Sequence, residues 1–495
     1  MAGIGVKLNK IYEKKSLIVN LSGMAYSVVV TVAPMVVVAL TLFLVEYLLG
    51  FDKLDFMHRE LFSTTVLYIF IFSLITTSPL NALLSRYMSD IIYEETLEEV
   101  MPCYYTGLVM NVIISMIPAV PFMLHEYFVG GIEPVFIFIG FIGYMSLVWA
   151  FYSMIYLSIC KDYAKITLFY FIGMVFFVIL SYLFVVFCKM PLIYGMLLGM
   201  DIGILIIASL EFAQLRSYFR ESSHRYTRVL SYFKTYWPLV VANACYIFGL
   251  YVHNFVYWTT DMRMEVADSL VCAQPYDMAS FLALVTNLSA TVIFISGVEM
   301  HFNEYYRNYT ESVIGGRLID VESGKDRMFQ QLANQLSSLV RVQFIVTVVI
   351  FLAFSILLPF IGISGLTMQI YPSLTAGYFV MFIMYSAIIF LYYYNDNIGA
   401  MFTSMSFFVC TLIGTVISTY FDYIWAGMGL FAGALIGWTI AYFRLRWVER
   451  HIEDHTFCRG SILKKGRGGR PLDVVYRKDS DEPVRKINDN DLKEA

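Results

Sequence analysis

One acidic residue stands in the middle of an apolar run. The stretch LIYGMLLGMDIGILIIASLEF carries Asp201 ten positions after Pro191, near the centre of what reads as a membrane span. A carboxylate at that depth costs about 2.5–3.5 kcal/mol on insertion scales, and such groups face a bundle interior or a watery cavity. Asp201 could therefore bind a proton, a cation or a substrate. It could equally be a neutral acid hydrogen-bonded to a neighbouring helix for packing alone. No Lys or Arg lies at the same depth to neutralise it, which favours a titratable or cation-meeting role.

Other polar groups fall within apolar runs: Asn243, His253 and Asn254 in the seventh, Asn287 in the eighth, and Glu299 where the eighth leaves the membrane. Such groups can bind substrate hydroxyls, or tie helices together at about 0.6 kcal/mol each. Arg86 and Asp90 are spaced i, i+4 just inside the membrane. That spacing suits part of an inner gate, or a surface salt bridge worth a few tenths of a kcal/mol. Tyr392, Tyr393 and Tyr394, followed by Asn395 and Asp396, read as an interfacial aromatic belt.

Catalytic signatures are missing. Gly324-Lys325 lacks the upstream Gly and following Ser/Thr of a phosphate-binding loop, and neither HExxH nor GxSxG occurs. The triplets Asp479-Ser480-Asp481 and Asp489-Asn490-Asp491 lie in a polar tail with no nucleotide-binding fold around them. The seven cysteines are scattered, without a CxxC pair or zinc spacing, and read as small apolar residues. No catalytic residue, metal site or cofactor is expected.

The elements that hold these residues follow from composition. The chain has 495 residues, 59% hydrophobic and 15% charged, with a mean hydropathy of +0.68. A soluble protein needs about 25% charged residues to cover its surface, so a water-soluble enzyme is excluded. A net charge of −4 argues against nucleic acid. Apolar runs near the span length of about 20 residues occur at 21–49, 62–84, 102–124, 134–159, 163–187 and 191–215, then at 238–258, 278–298, 342–361, 373–394, 398–419 and 423–443. This predicts an all-α polytopic membrane protein with twelve transmembrane helices.

Basic residues set its orientation. With the N-terminus in the cytoplasm, only Lys53, Arg59, Lys189 and Arg263 of the 34 Lys and Arg fall outside, and both termini are cytoplasmic. The expected organisation is an interfacial amphipathic helix (1–19), a first six-helix bundle (20–215), a basic linker (216–237), a second six-helix bundle (238–445) and a charged cytoplasmic tail (446–495). The second bundle contains a cytoplasmic loop, 299–341, with helical periodicity in DRMFQQLANQLSSLVRV. No cleavable signal peptide is read at the start. A six-plus-six layout is common among secondary transporters.

Three ordered blocks carry a resemblance. They are the start MAGIGVKLNKIYEKKSL, the segment TTSPLNALLSRYMSDIIYEE at 76–95, and YDMASFLALVTNLSATVIFISGVEMHFNEYYRNY at 276–309. Together they resemble the PelG family, transporters of the Pel exopolysaccharide system. Arg86, Tyr87, Asp90 and Tyr93 stand in the second block's pattern, with Ser85 in place of a Thr. In the third block Tyr276, Asp277, Phe281, Leu282, Ala283, Glu299 and Phe302 match, whereas Met300 and His301 depart. His253-Asn254 stands where the family shows an Asp-Lys pair, so a role for that pair does not transfer.

The resemblance implies the multidrug/oligosaccharidyl-lipid/polysaccharide exporter superfamily, with two six-helix bundles and alternating access. It also implies an N-acetylhexosamine-rich polymer as cargo, a cytoplasmic glycosyltransferase (PelF-like) and membrane subunits (PelD- and PelE-like) as partners, and the bacterial cytoplasmic membrane as location. Residue chemistry fits a cavity lined by Tyr, Phe and Asn, with Asp201 in the path and Arg86 and Asp90 at an inner gate. Two other readings stay open: an ion-coupled antiporter for drugs or small cations, and a non-transporting scaffold subunit of the polysaccharide synthase.

Overall fold

The structure, a computed structural model, describes residues 17–160, 162–291, 294, 302–363 and 365–452. Expectations for Glu299, for residues 1–16 and for the tail beyond 452 lie outside the described residues. Thirteen helices are described: α1 (Leu17–Leu49), α2 (Phe56–Tyr93), α3 (Val100–Phe128), α4 (Pro134–Ile159), α5 (Tyr163–Tyr182), α6 (Leu192–Tyr218), α7 (Arg228–Tyr257), α8 (Gln274–Asn287), α9 (Asn303–Gly315), α10 (Leu318–Leu357), α11 (Leu366–Tyr393), α12 (Asn397–Ser418) and α13 (Met428–Ile452). Among the described residues, ten segments are long and apolar enough to cross a membrane. With α1 and with α8, which opens the eighth expected span, they stand in the order expected for twelve crossings.

The helices obey membrane rules. Large apolar side chains face outward, such as Phe43, Ile117, Phe187 and Ile356, as lipid-facing residues do. Prolines within helices are accommodated locally. Pro79 cannot donate to the carbonyl of Ile75, and Ser78 Oγ supplies that bond at 3.3 Å. Pro238 is not compensated in this way: α7 leaves helical geometry at Tyr236 (φ −112°, ψ 18°), so the helix bends where the seventh span was expected to begin.

Three features differ from expectation. The loop 299–341 is largely helix, because α10 continues unbroken from Leu318 into the ninth span. Its 40 residues make a helix of about 60 Å, twice the thickness of the hydrocarbon core. A β-hairpin follows α7: β1 (Met264–Val266) pairs antiparallel with β2 (Leu270–Cys272), and its buried Val266, Leu270 and Cys272 hold it against α2. The linker, third, is tied down by two of its own cations. Arg228 and Arg225 reach the buried Glu99 at 2.5 and 3.3 Å, and Arg228 also reaches Glu94 at 3.2 Å.

Residues up to Arg446 form one compact unit. Its first half, α1–α6, holds an apolar core through α2, α4, α5 and α6 and a smaller one around Tyr87, Tyr104, Tyr152 and Tyr156. In the second half α11 is the most enclosed helix, and Arg444 clamps Asp396 at the α11–α12 turn through two bonds of 2.5 and 3.0 Å. In the second unit Trp447 stacks on His451, where the backbone leaves helical geometry (φ −127°, ψ 25°).

Candidate functional site

The two halves meet along α2 and α7. At the hairpin end, Tyr68 of α2 stacks on Trp258 at 5.1 Å and Phe72 on Phe255 at 6.0 Å. The Tyr68 hydroxyl donates to the Val271 carbonyl (2.6 Å) and accepts from the Val271 N–H (3.0 Å), so β2 locks the same corner. Midway, Asn243 donates its amide to the Ser78 carbonyl, beside Pro79. At the opposite, basic end the Tyr232 hydroxyl donates to Asp90 at 3.2 Å.

Arg86 and Asp90 are paired at 3.3 Å at that basic end. The Arg86 guanidinium lies over the Tyr236 ring at 5.7 Å. It also acts on Tyr306 of α9, whose hydroxyl burial pushes above the usual phenol range against the pull of that charge. The pair is therefore not a lone surface bridge. It sits where one half meets the other.

The second half holds a polar aromatic cluster. Tyr378, Tyr385 and Tyr392 repeat every seven residues along α11, which puts them on one helix face. Tyr246 of α7 stacks on Tyr385 at 4.5 Å. Tyr251, Tyr385 and Tyr392 are only partly buried, so the cluster keeps some open surface. His253 stands at one end of it, between Tyr276 (2.9 Å) and Tyr378 (3.5 Å).

Asp277 anchors the adjoining corner. It is buried, and it accepts from Asn254 (2.7 Å), the Trp258 indole (2.9 Å) and the Ala273 N–H (2.9 Å). Asn287 is engaged in helix ties: it donates to the Ala283 and Thr375 carbonyls and accepts from Thr347 at 2.8 Å.

Asp201 lies elsewhere, inside the first half. It is fully buried on α6 and neither oxygen has a hydrogen-bond partner among the described residues. Its carboxylate presses on Gly143 of α4, where even a methyl group would overlap it. Ten residues along the same helix Glu211 repeats the condition, fully buried with both oxygens unpartnered. The expected site residues thus fall into separate groups: Arg86, Asp90 and Asn243 on the seam, His253 and Asn254 at the tyrosine cluster and its corner, Asn287 among helix ties, and Asp201 within the first bundle. Sequence reasoning passed over Glu211 and the seven-residue tyrosine stripe, and named Asp277 only as a residue of the third block.

Two halves joined by one seam, one enclosing unpartnered acids and the other a tyrosine cluster, make a polytopic helical membrane protein. Solved structures share this fold. A Vibrio cholerae MATE transporter matches with a TM-score of 0.61 at 12% identity, over 92% of this chain and 99% of its own. An outward-facing multidrug resistance MATE transporter of the MOP superfamily matches at 0.58 and 11%, over 86% and 96%. A MOP superfamily transporter from Pyrococcus furiosus matches at 0.55 and 11%, over 87% and 96%. No characterised protein matches by sequence. The family described as "PelG: Putative exopolysaccharide Exporter (EPS-E)" matches residues 1–457, and the chain belongs to it.

Proposed function

We propose that this transporter exports an N-acetylhexosamine-rich exopolysaccharide across the bacterial cytoplasmic membrane, fed by a PelF-like cytoplasmic glycosyltransferase and assembled with PelD- and PelE-like membrane subunits. The observation that carries the reading is the partly open tyrosine face of α11, packed against α7 beside the α2–α7 seam. Flat rings with hydroxyl tips offer a sugar both an apolar face and hydrogen bonds, without a charge that would hold it fast. Substitution of both Tyr385 and Tyr392 by Ala lowers polymer secretion severalfold at unchanged membrane abundance, whereas Phe at both positions, which keeps the rings, retains most of it. Equal secretion from the Ala and wild-type chains would contradict the role of this tyrosine face.

Orientation is proposed with the hairpin end outside, supported by the placement of basic residues. Cys188 is exposed at that end and Cys272 is buried there. Burial pushes the Cys272 thiol up to about 11, so little of the reactive thiolate forms near neutral pH. An impermeant maleimide added to intact cells, with the outer barrier opened, labels Cys188 and spares Cys272. Labelling of Cys188 only after lysis would reverse the orientation.

A further inference from the structure

A partly open cavity of about 190 Å³ lies between α2, α3 and α4, with Leu270 of β2 also on its wall. It has room for several waters. Its walls are mostly apolar and aromatic (Tyr68, Phe72, Phe122, Phe136 and Tyr144 among them), with the Thr65 hydroxyl and one carboxylate, Glu126. Ile69 and Gly140 also line it, and Gly143, one residue before Tyr144, packs against both Ile69 and the Asp201 carboxylate. Glu211 lies about 15 Å further along α6 at the ordinary rise per residue. No Lys or Arg pairs with any of these three acids among the described residues.

We propose that the first half carries a proton path of its own, from Glu126 through this cavity to Asp201 and on to Glu211, separate from the polymer's route. A buried carboxylate without donor or countercharge is held there only with a proton or another cation bound. The cavity's mostly apolar wall offers a sugar few hydrogen bonds, and no group of ligating side chains able to hold a metal ion is found among the described residues. At each site a carboxylate oxygen takes up one proton and later releases it, and no other bond changes. The groups facing these acids are neutral: Tyr68 of α2 at Glu126, Gly143 of α4 at Asp201, and Tyr104 of α3 with Tyr170 of α5 at Glu211. Beyond Tyr104 the hydroxyls of Tyr152 and Tyr156 (2.7 Å apart) and the Cys103 thiol run on toward Glu99 at the basic end.

Coupling to export runs through α2. Tyr68 and Phe72 line the cavity and also stack on Trp258 and Phe255 across the seam, so a proton arriving beside Tyr68 acts on an element both paths share. This inference rests on the exporter reading. Its test uses the full chain in native membranes, treated with dicyclohexylcarbodiimide, which reacts with neutral carboxylic acids in apolar surroundings. Peptide mapping finds adducts at Asp201 and Glu211 that diminish from mildly acidic to mildly alkaline pH. Glu211→Gln removes its adduct and most secretion at normal membrane abundance, and Glu211→Asp restores part of both. Wild-type secretion from Glu211→Gln overturns the path. So does an unreactive Glu211 in the wild-type chain, a measurement that stands even if the variant fails to accumulate. Should Glu211→Gln secrete normally while loss of the gene traps polymer inside, the proton path falls and the exporter stands.

Discussion

Export stops when position 72 is joined to position 255. Phe72→Cys and Phe255→Cys, introduced together and bridged by oxidation or a short bismaleimide, pin α2 to α7 at the hairpin end, where the native rings stack at 6.0 Å. Neither ring makes a hydrogen bond, so each single variant keeps the corner formed by Tyr68, Val271 and Trp258. Any route between the two halves needs this seam to part, and a covalent bridge exceeds any conformational preference of a few kcal/mol. Secretion falls to the level of cells lacking the chain, and reduction of the disulfide restores it. Undiminished secretion from fully bridged protein would place the route elsewhere.

Two buried aspartates give opposite results. Asp277 satisfies Asn254, Trp258 and the Ala273 N–H, and Asp277→Ala leaves those donors unpaired in the interior. At about 1–3 kcal/mol for each unsatisfied group, the loss is on the order of 4 kcal/mol, read as a fall in melting temperature and in membrane abundance. Asp201 has no donor to lose, so Asp201→Asn changes stability by about 1 kcal/mol or less while most secretion disappears. Thermal unfolding of both variants in one detergent, beside secretion assays, checks the pair. A destabilised Asp201→Asn with normal specific secretion would make Asp201 a packing residue.

Much of the fold was legible because a bilayer imposes simple rules. Apolar run length marked the spans, and Asp201 stood out as a charge in the middle of one. Glu211 carries the same chemistry but sits at the end of its run, five residues before Arg216, where an acid ordinarily reaches water. Tyr392 was hidden because tyrosine near a span end reads as belt, Tyr378 and Tyr385 drew no notice as uncharged residues within the span, and only the seven-residue spacing on one helix tells the stripe apart. Periodicity in DRMFQQLANQLSSLVRV was visible, but not that it continues into the span as α10. The hairpin strands, three residues each, are too short to leave an alternating pattern. The partners of Asn243, Asn254 and Asn287 depend on which helices adjoin, and a single sequence does not contain that.

The central claim is that this chain moves polymer made by another protein. Its most direct test is to delete this gene alone, keep the glycosyltransferase, and measure where amino-sugar polymer accumulates. Polymer retained inside the cell is the predicted result, and it returns to the medium when the gene is restored. Polymer appearing outside at the normal level without this chain would contradict the account.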